Sequence, residues 1–487
     1  MRLQEILIDV DYFSLFGDLG RQVERLAYDS RKVIDKSLFF AIKGYQTDGH
    51  FFIESAISRG ARVIVHQNDI PRIQGITYIK VADTRLAMAK IAANFYLHPS
   101  SRLILIGVSG TDGKTTTSTA IHSILSRYGQ AGLIGTVGHF IAGKEIKASR
   151  TTPESLEINQ YLAQLSAAGA YAAVMEVSSH ALAMRRTDCL DFDIAVFTNL
   201  SQDHLDFHQD MDHYFDTKAR LFAELKSSAS AVINLDDDYG KKLCQIAPCD
   251  VVGYSLQDKS APVFGELIAD GLDGLRMNIY CQNDLIYITS PLFGKPNAYN
   301  LLASVAAAVR AHCGLSGIQT ALAQFNGVKG RFERIGCGRF YAIVDYAHTP
   351  HAVENAAAVL KKTAKNKLTI LLGCGGDRDK TKRPLMAAAA EKFADYLILT
   401  SDNPRSEDPM AILNDMLKGL KQPQKAEIIP DRRLAIRFAL DRADEYDIVA
   451  ILGKGHEDTM EIGNTRHHFN DREVVEEWLK ERPALNI

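Results

Sequence analysis

The chain has 487 residues, 46% hydrophobic and 24% charged, with a formal net charge of −3. That length fits about three domains, and the composition is that of an ordinary globular protein. The mixed, nearly balanced charges exclude a nucleic-acid partner held by bulk charge, and no apolar run approaches the ~20 residues of a membrane span.

The N-terminus, MRLQEILIDVDYF, carries acidic residues where a secretory signal needs an uninterrupted apolar core. Seven cysteines are scattered along the chain and form no C-x-x-C pair. An odd, dispersed set is neither a disulfide framework nor a zinc ribbon, and it fits a reducing compartment. The expectation is a cytoplasmic protein without membrane or nucleic-acid partners.

Residues 1–98 read as a small mixed unit. ARVIVH and ITYIKV are short β-rich runs, LAMAKIAANFYL has helical periodicity, and HPSSR (98–102) reads as a linker. From 102 onward the pattern changes. RLILIGV, AGLIGTV, YAAVMEV, DIAVFTNL and SAVINL are nearly continuous apolar runs, mostly separated by helical stretches. Such strands are buried on both faces, as in a parallel α/β sheet. GVKGRFE (327–333) marks a second boundary. After it FYAIVDY, KLTILLGC, DYLILTS and YDIVAILG alternate with Ala-rich helices, which predicts a separate doubly wound unit.

Within the second region, GVSGTDGKTTT (107–117) follows a strand and opens a helix. The common phosphate-loop pattern places a Gly five residues before the Gly of Gly-Lys-Ser/Thr, but Val108 stands there. The context still favours a nucleotide. Gly110 and Gly113 let backbone N–H groups turn toward a polyphosphate, and the helix N-terminus adds partial positive charge. Lys114 can reach the β- and γ-phosphates, and Thr115 can bind Mg²⁺. Glu176 ends a strand, where doubly wound sheets line their ligand crevice, and can serve as a second Mg²⁺ ligand. Asn199, Asp203, His204 and His208 follow another strand end, and one of these histidines could be a metal ligand. Lys218 lies on a short helix nearby. From spacing alone it reads as an exposed surface lysine. A P-loop GTPase, a small-molecule kinase and a non-catalytic nucleotide-binding subunit stay open at this point, although no convincing N/T-K-x-D base-reading motif supports the GTPase.

GTDGKTTT, TTPE, EVSSHAL, FTNLSQDHLDFH, YFDTKARLF, GRFERI, DYAHTP, GCGGDRDKTKRP, SDNPRSEDP and GKGHED occur in that order, preceded by DSRKV, LFFAIKG and YQTDGHFF. Together they resemble the Mur ligases, over nearly the whole chain. The resemblance implies an α/β protein of three domains. These are a UDP-substrate-binding domain (1–98), a central P-loop ATPase with a mostly parallel sheet (99–332), and a C-terminal amino-acid-binding Rossmann-like domain (333–487). In this family the phosphate loop takes the shorter form G-T-x-G-K-T/S, which accounts for Val108.

The implied reaction is ATP-dependent. ATP phosphorylates the D-Glu carboxylate of UDP-N-acetylmuramoyl-L-alanyl-D-glutamate, and the amine of meso-diaminopimelate attacks the acyl phosphate. The products are an amide, ADP and phosphate, as a step of peptidoglycan precursor synthesis. The catalytic set carried over is Lys114, Glu176, His204 and Lys218. The metal ligands are Thr115 and Glu176 for Mg²⁺, with His204 at a second site and Lys218 as a CO₂-derived carbamate. Nucleotide positions are Gly110, Thr111, Asp112, Gly113, Lys114, Thr115, Thr116, Asn300, Arg331 and Asp345. Substrate positions are Ser30, Gln46, Thr47, Thr151, Thr152, Ser178 and Arg186. Amino-acid positions are Arg383, Asp402, Asn403, Pro404, Arg405, Gly453 and Glu457. The implied enzyme is a monomer acting on small molecules.

Arg405 is expected to select the amino acid. Diaminopimelate carries a carboxylate beside its far amine, and a guanidinium grips carboxylates bidentately. Gly453 and Glu457 are expected to accept from the far ammonium. Lysine lacks the carboxylate, so it would leave Arg405 without a partner, at a cost if the site is buried. A lysine-adding ligase of the same family is the alternative, and a folate polyglutamylating relative fits less well. Three positions depart from the family pattern. Asp112 stands where Asn is commoner, so its side chain is expected to point away from the phosphates. Arg150 replaces a common Asn, and Met184 stands where Gln is familiar.

Overall fold

The computed structural model describes residues 1–44, 47–205, 207–281 and 284–482. Three main sheets follow one another along the chain. The first has five strands, ordered Ser14–Phe16, Thr77–Lys80, Ala61–His66, Ser37–Phe40 and Arg25–Ala27. All neighbours are parallel except the edge pair Ser14–Phe16 and Thr77–Lys80. HPSSR is not a loose linker. Pro99–Arg102 forms a 3₁₀ turn, with Pro99 and Ser100 buried.

The second sheet has eleven strands, with Ile104–Ser109 at its centre between Ala172–Glu176 and Ile194–Phe197. The five apolar runs read from the sequence are all strands here, and all pair in parallel. The sheet extends further than those runs. Asp250–Ser255 continues it, followed by an antiparallel meander of Val263–Gly271, Gly274–Cys281 and Asp284–Ser290. A hairpin, His139–Ile141 and Lys144–Ile146, closes the other edge. The meander escaped the search for continuous apolar runs because its strands alternate buried and exposed residues, as Gly274–Cys281 does.

The third sheet has six strands, ordered Glu333–Gly336, Tyr341–Asp345, Ile448–Leu452, Leu368–Cys374, Tyr396–Ser401 and Ala426–Ile428. Only the first pair is antiparallel. A separate hairpin, Thr459–Ile462 with Thr465–His468, stands beside it.

These cores position the site. Ile106, Val108, Val174 and Val196 pack under the helices Lys114–Leu125 and Lys295–Arg310. The second helix presents Ala303, Ala306, Ala307 and Ala308, all buried, so small side chains let the layers approach closely. Strand ends and helix starts therefore meet along one crevice, where a doubly wound sheet binds ligands.

Candidate active site

The phosphate loop joins Ile104–Ser109 to the helix Lys114–Leu125. Gly110 has φ +150°, and a Cβ there would lie 1.9 Å from Thr198 Oγ1; Gly113 has φ +83°, and a Cβ there would meet Asn300 Oδ1 at 2.3 Å. Neither position tolerates a side chain. Lys114 lies across the loop, its Nζ donating to Gly110 O at 3.0 Å and Thr111 O at 2.8 Å. Burial lowers its pKa from the usual lysine value.

Glu176, at the end of its strand and 1% exposed, organises the other side. Its Oε2 accepts from Thr115 Oγ1 at 2.8 Å and from Thr136 Oγ1 at 3.0 Å. Its Oε1 accepts from the Thr136 N–H at 2.7 Å. Thr136 Oγ1 also lies 3.0 Å from Thr151 Oγ1. Thr136 was absent from the sequence reading, yet AGLIGTV held the signal: it stands just past a parallel strand end, on the crevice side. Among the described residues no three His, Cys, Asp or Glu side chains converge on a cation site. Mg²⁺ needs no such cage. It takes one or two protein oxygens, with water and phosphate oxygens completing its shell, and the Thr115–Glu176 pair fits that demand.

Lys218 departs from the exposed lysine that its spacing suggested. The helix Met211–Ala223 buries it to 1% exposure. Its Nζ donates to Gly110 O at 2.8 Å and stands 4.9 Å over the Tyr214 ring. Lys114 and Lys218 thus converge on one carbonyl. Burial, then the neighbouring Lys114 charge, holds the Lys218 pKa well below the usual value, which favours a neutral amine. His204 has φ +53° and packs edge-on to His180, with ring centroids 4.8 Å apart. Burial pushes its pKa down to about 4, so its imidazole is neutral and able to ligate a metal. His208 is buried against Tyr214, with ring centroids 4.8 Å apart.

Nine of the ten expected nucleotide positions, all but Gly110, line one cavity of about 280 Å³ together with Thr151, Glu176 and His204. The third sheet closes its mouth. The Arg331 guanidinium sits 4.4 Å over the Tyr346 ring, and Asp345 accepts the N–H groups of Phe332 at 2.7 Å and Ala347 at 2.9 Å. Burial raises the Asp345 pKa. The Asp112 side chain points toward the same side. Its Oδ2 lies 3.7 Å from His351 Nδ1, and its backbone is clamped by Thr198 and Asn199.

The expected UDP-substrate positions divide. Thr152 Oγ1 donates to Glu176 O at 2.8 Å and lies 3.2 Å from Ser178 Oγ, and Arg186 donates to Thr152 O at 3.1 Å. These three, with Thr151, stand beside Glu176. Ser30 is buried at the start of a 3₁₀ turn and Thr47 is exposed; Gln46 lies outside the described residues. The departures have partners. Arg150, Arg85 and Arg186 all hold Glu154, and the Met184 sulfur accepts from Arg186 at 3.2 Å. A larger cavity, about 510 Å³ beside Tyr28 and Glu157, contains none of the expected substrate positions.

The third sheet gathers the expected amino-acid positions. Asp402–Arg405 follow Tyr396–Ser401, and Gly453 follows Ile448–Leu452. Two arginines are more fully engaged than the sequence suggested. Arg383 is 1% exposed and bonds Glu407 at 2.8 and 3.0 Å, Asp415 at 3.0 Å and Gly375 O at 3.3 Å, so in this geometry it braces the Gly375 loop. Arg405 is paired with Glu461. Glu457 Oε2 accepts from Asn403 and from the wholly buried Lys454, each at 2.8 Å. Lys454, Glu407 and Glu461 were missed. Lys454 sits in the quoted GKGHED and Glu407 in the quoted SDNPRSEDP, whereas nothing local marks Glu461.

Three family models match in chain order: the Mur ligase family catalytic domain over residues 22–96, the Mur ligase middle domain over 108–308, and the Mur ligase glutamate ligase domain over 330–455. The chain is 42% identical over 484 residues to the UDP-N-acetylmuramoyl-L-alanyl-D-glutamate–2,6-diaminopimelate ligase of Caldanaerobacter subterraneus, covering 99% of both chains. It is 43% identical to the enzyme of that name from Geobacillus thermodenitrificans, over 99% of this chain and 100% of that one. A solved UDP-N-acetylmuramoyl-L-alanyl-D-glutamate–2,6-diaminopimelate ligase superimposes with a TM-score of 0.70 at 33% identity, covering 99% of each chain. The fold is also that of a MurF ligase from Thermotoga maritima in complex with ADP, with a TM-score of 0.65 at 18% identity, over 94% of this chain and 97% of that one. With matches in chain order from residue 22 to residue 455, the chain belongs to the Mur ligase family.

Proposed function

We propose that this protein is an ATP-dependent ligase that adds meso-diaminopimelate to UDP-N-acetylmuramoyl-L-alanyl-D-glutamate in peptidoglycan precursor synthesis. One observation carries the reading: Lys114, Thr115, Glu176 and His204 line a single cavity whose opposite wall is Arg331, Asp345 and Tyr346. That arrangement supports a triphosphate site between the second and third sheets, in which Glu176 and Thr151 would face the terminal phosphoryl group.

The chemistry follows from the charges. A carboxylate is a poor electrophile, and phosphorylation gives it a leaving group. The D-Glu carboxylate oxygen attacks the terminal phosphorus, the bond to the bridging oxygen breaks, and ADP leaves. The amine of diaminopimelate then attacks the acyl carbon, and phosphate departs as the amide forms. Lys114 and the loop N–H groups offset charge on the transferred phosphoryl group. Thr115 and Glu176 would hold Mg²⁺, which neutralises phosphate charge when bound. His204, a neutral imidazole, would serve a second ion. Burial and the Lys114 charge shift Lys218 toward the neutral amine that captures CO₂; its carbamate would set an anionic oxygen ligand beside Lys114. The proposed domains are three, 1–98, 99–332 and 333–487.

No described helix is long and apolar enough to cross a membrane. We place the enzyme in the cytoplasm as a monomer acting on small molecules.

The test is one assay. ATP, Mg²⁺ and the UDP-muramoyl dipeptide are supplied with diaminopimelate or lysine, and ADP release and product mass are read. The expected product is the diaminopimelate amide. Faster turnover with lysine would make this a lysine-adding ligase, and a phosphorylated product without an amide would make it a kinase.

A further inference from the structure

Arg405 is fixed before any substrate arrives. Its backbone has φ +52° and is stitched to the hairpin Thr459–Ile462/Thr465–His468. The Arg405 N–H donates to Glu461 O at 3.0 Å, and the Gly463 N–H donates to Arg405 O at 2.7 Å. Its guanidinium is engaged as well. Nε donates to Glu461 Oε2 at 3.0 Å and Nη1 donates to Gly376 O at 2.7 Å. The second oxygen of Glu461 is gripped by Arg466, with Nε and Nη2 each 2.8 Å from Oε1. One carboxylate therefore stands between two guanidiniums. Arg405 and Glu461 are 22% and 26% exposed, and Arg466 is 74% exposed.

A guanidinium offers two edges to a carboxylate, and Nη2 belongs to both. Glu461 holds one edge through Nε, and Gly376 O holds the other through Nη1. An incoming carboxylate takes the Nε/Nη2 edge bidentately only if Glu461 lets go. Arg466 makes that release inexpensive, because it is already bonded to Glu461 and keeps it paired.

We propose that Glu461 and Arg466 tune amino-acid specificity: Glu461 is an internal counter-ion on Arg405 that the far carboxylate of diaminopimelate displaces, and Arg466 retains it. This rests on the diaminopimelate-ligase reading above and changes one of its consequences. Lysine does not strand Arg405, because Glu461 stays on it. Rejection of lysine is therefore weaker than an unpaired arginine would impose. Glu461 and Arg466 are positioning residues, acting through Arg405.

The experiment measures KM and kcat for diaminopimelate and lysine in the wild type, Arg466→Gln, Arg466→Lys, Glu461→Gln and the Glu461→Gln/Arg466→Gln double variant. Where lysine turns over too slowly, its inhibition constant against diaminopimelate replaces KM. Arg466→Gln should raise the KM for diaminopimelate about threefold to fivefold, the scale of a partly exposed ion pair, and leave lysine unchanged. Arg466→Lys should restore part of the loss. Glu461→Gln should lower the KM for diaminopimelate and increase its preference over lysine. In the double variant the Arg466→Gln effect should vanish, because its partner is gone. Equal shifts for both amino acids, effects confined to kcat, or additivity in the double variant would each overturn the proposal. Wild-type turnover with diaminopimelate is measured first. Its absence overturns the ligase reading itself, whereas turnover with an unchanging preference across the variants overturns only this inference.

Discussion

His351 Nδ1 lies 3.7 Å from Asp112 Oδ2, so the helix Pro350–Thr363 of the third sheet is tied to the phosphate loop of the second. The Asp that looked misplaced among phosphate-binding residues faces a partner contributed 239 residues later in the chain, counting from 112 to 351. Burial pushes the Asp112 carboxyl up, but His351 and Lys114 together bring it below its ordinary value. The contact with Asp112 raises His351 above 6.5, against burial.

These directions set a pH window. His351 is raised in the fold, so its contribution is fully present below pH 6.5 and fades as pH rises through its raised pKa. Asp112 is lowered, so its contribution is present above its ordinary pKa of 3.8 and fades as pH falls through the lowered one. The pair is intact between the two. Both side chains are nearly half exposed, at 49% and 42%, so the effect is small, about 0.2–1 kcal/mol. His351→Ala should raise the KM for ATP modestly at pH 6 and less at pH 8. Steady-state kinetics at both values check this, and an effect independent of pH would exclude the ion pair as its cause.

Lys218→Ala should abolish ligation, with a loss on the order of a hundredfold or more, while ATP binding persists. Short carboxylic acids should restore part of the activity by supplying the missing oxygens. ADP release at controlled bicarbonate, with and without acetate, is the measurement. Full activity in the Ala variant at low bicarbonate would eliminate the carbamate.

Glu176→Gln keeps the shape beside Thr115 and Thr136 but removes the charge. The Mg²⁺ concentration for half-maximal activity should rise, and kcat should fall by about a hundredfold. A Mg²⁺ titration of activity at saturating ATP separates the two effects. An unchanged Mg²⁺ requirement would remove Glu176 from the metal ligands.

Arg432 and Asp471 are both wholly buried and joined by two bonds of 2.7 Å. Arg432 also donates to Leu452 O at 3.0 Å and Ser401 O at 3.3 Å, the last residues of the strands that lead into Gly453 and Asp402. Arg432→Met leaves Asp471 charged and unpaired, so unfolding in urea should show a loss of about 3–5 kcal/mol. The double change to Met and Leu should recover much of it.

What the sequence determined was local. The continuous apolar runs RLILIGV, YAAVMEV and DIAVFTNL had to become buried parallel strands, because neither of their faces is polar. Gly110, Gly113, Lys114 and Thr115 had to form a phosphate loop, because their spacing places a turn, a cation and a hydroxyl at a helix start. The ordered motifs carried the family. What only the tertiary structure decided was which side chains face each other across long separations. Lys218 read as a surface residue because nothing within its helix shows that Gly110 O lies over it. Asp112 read as an anomaly because His351 stands on another sheet. Arg405 read as an open receptor because Glu461 reaches it from a hairpin 56 residues on. Backbone conformation follows from neighbours in the chain. Charge state and pairing follow from burial and from neighbours in space, and those exist only once the three sheets have formed and met.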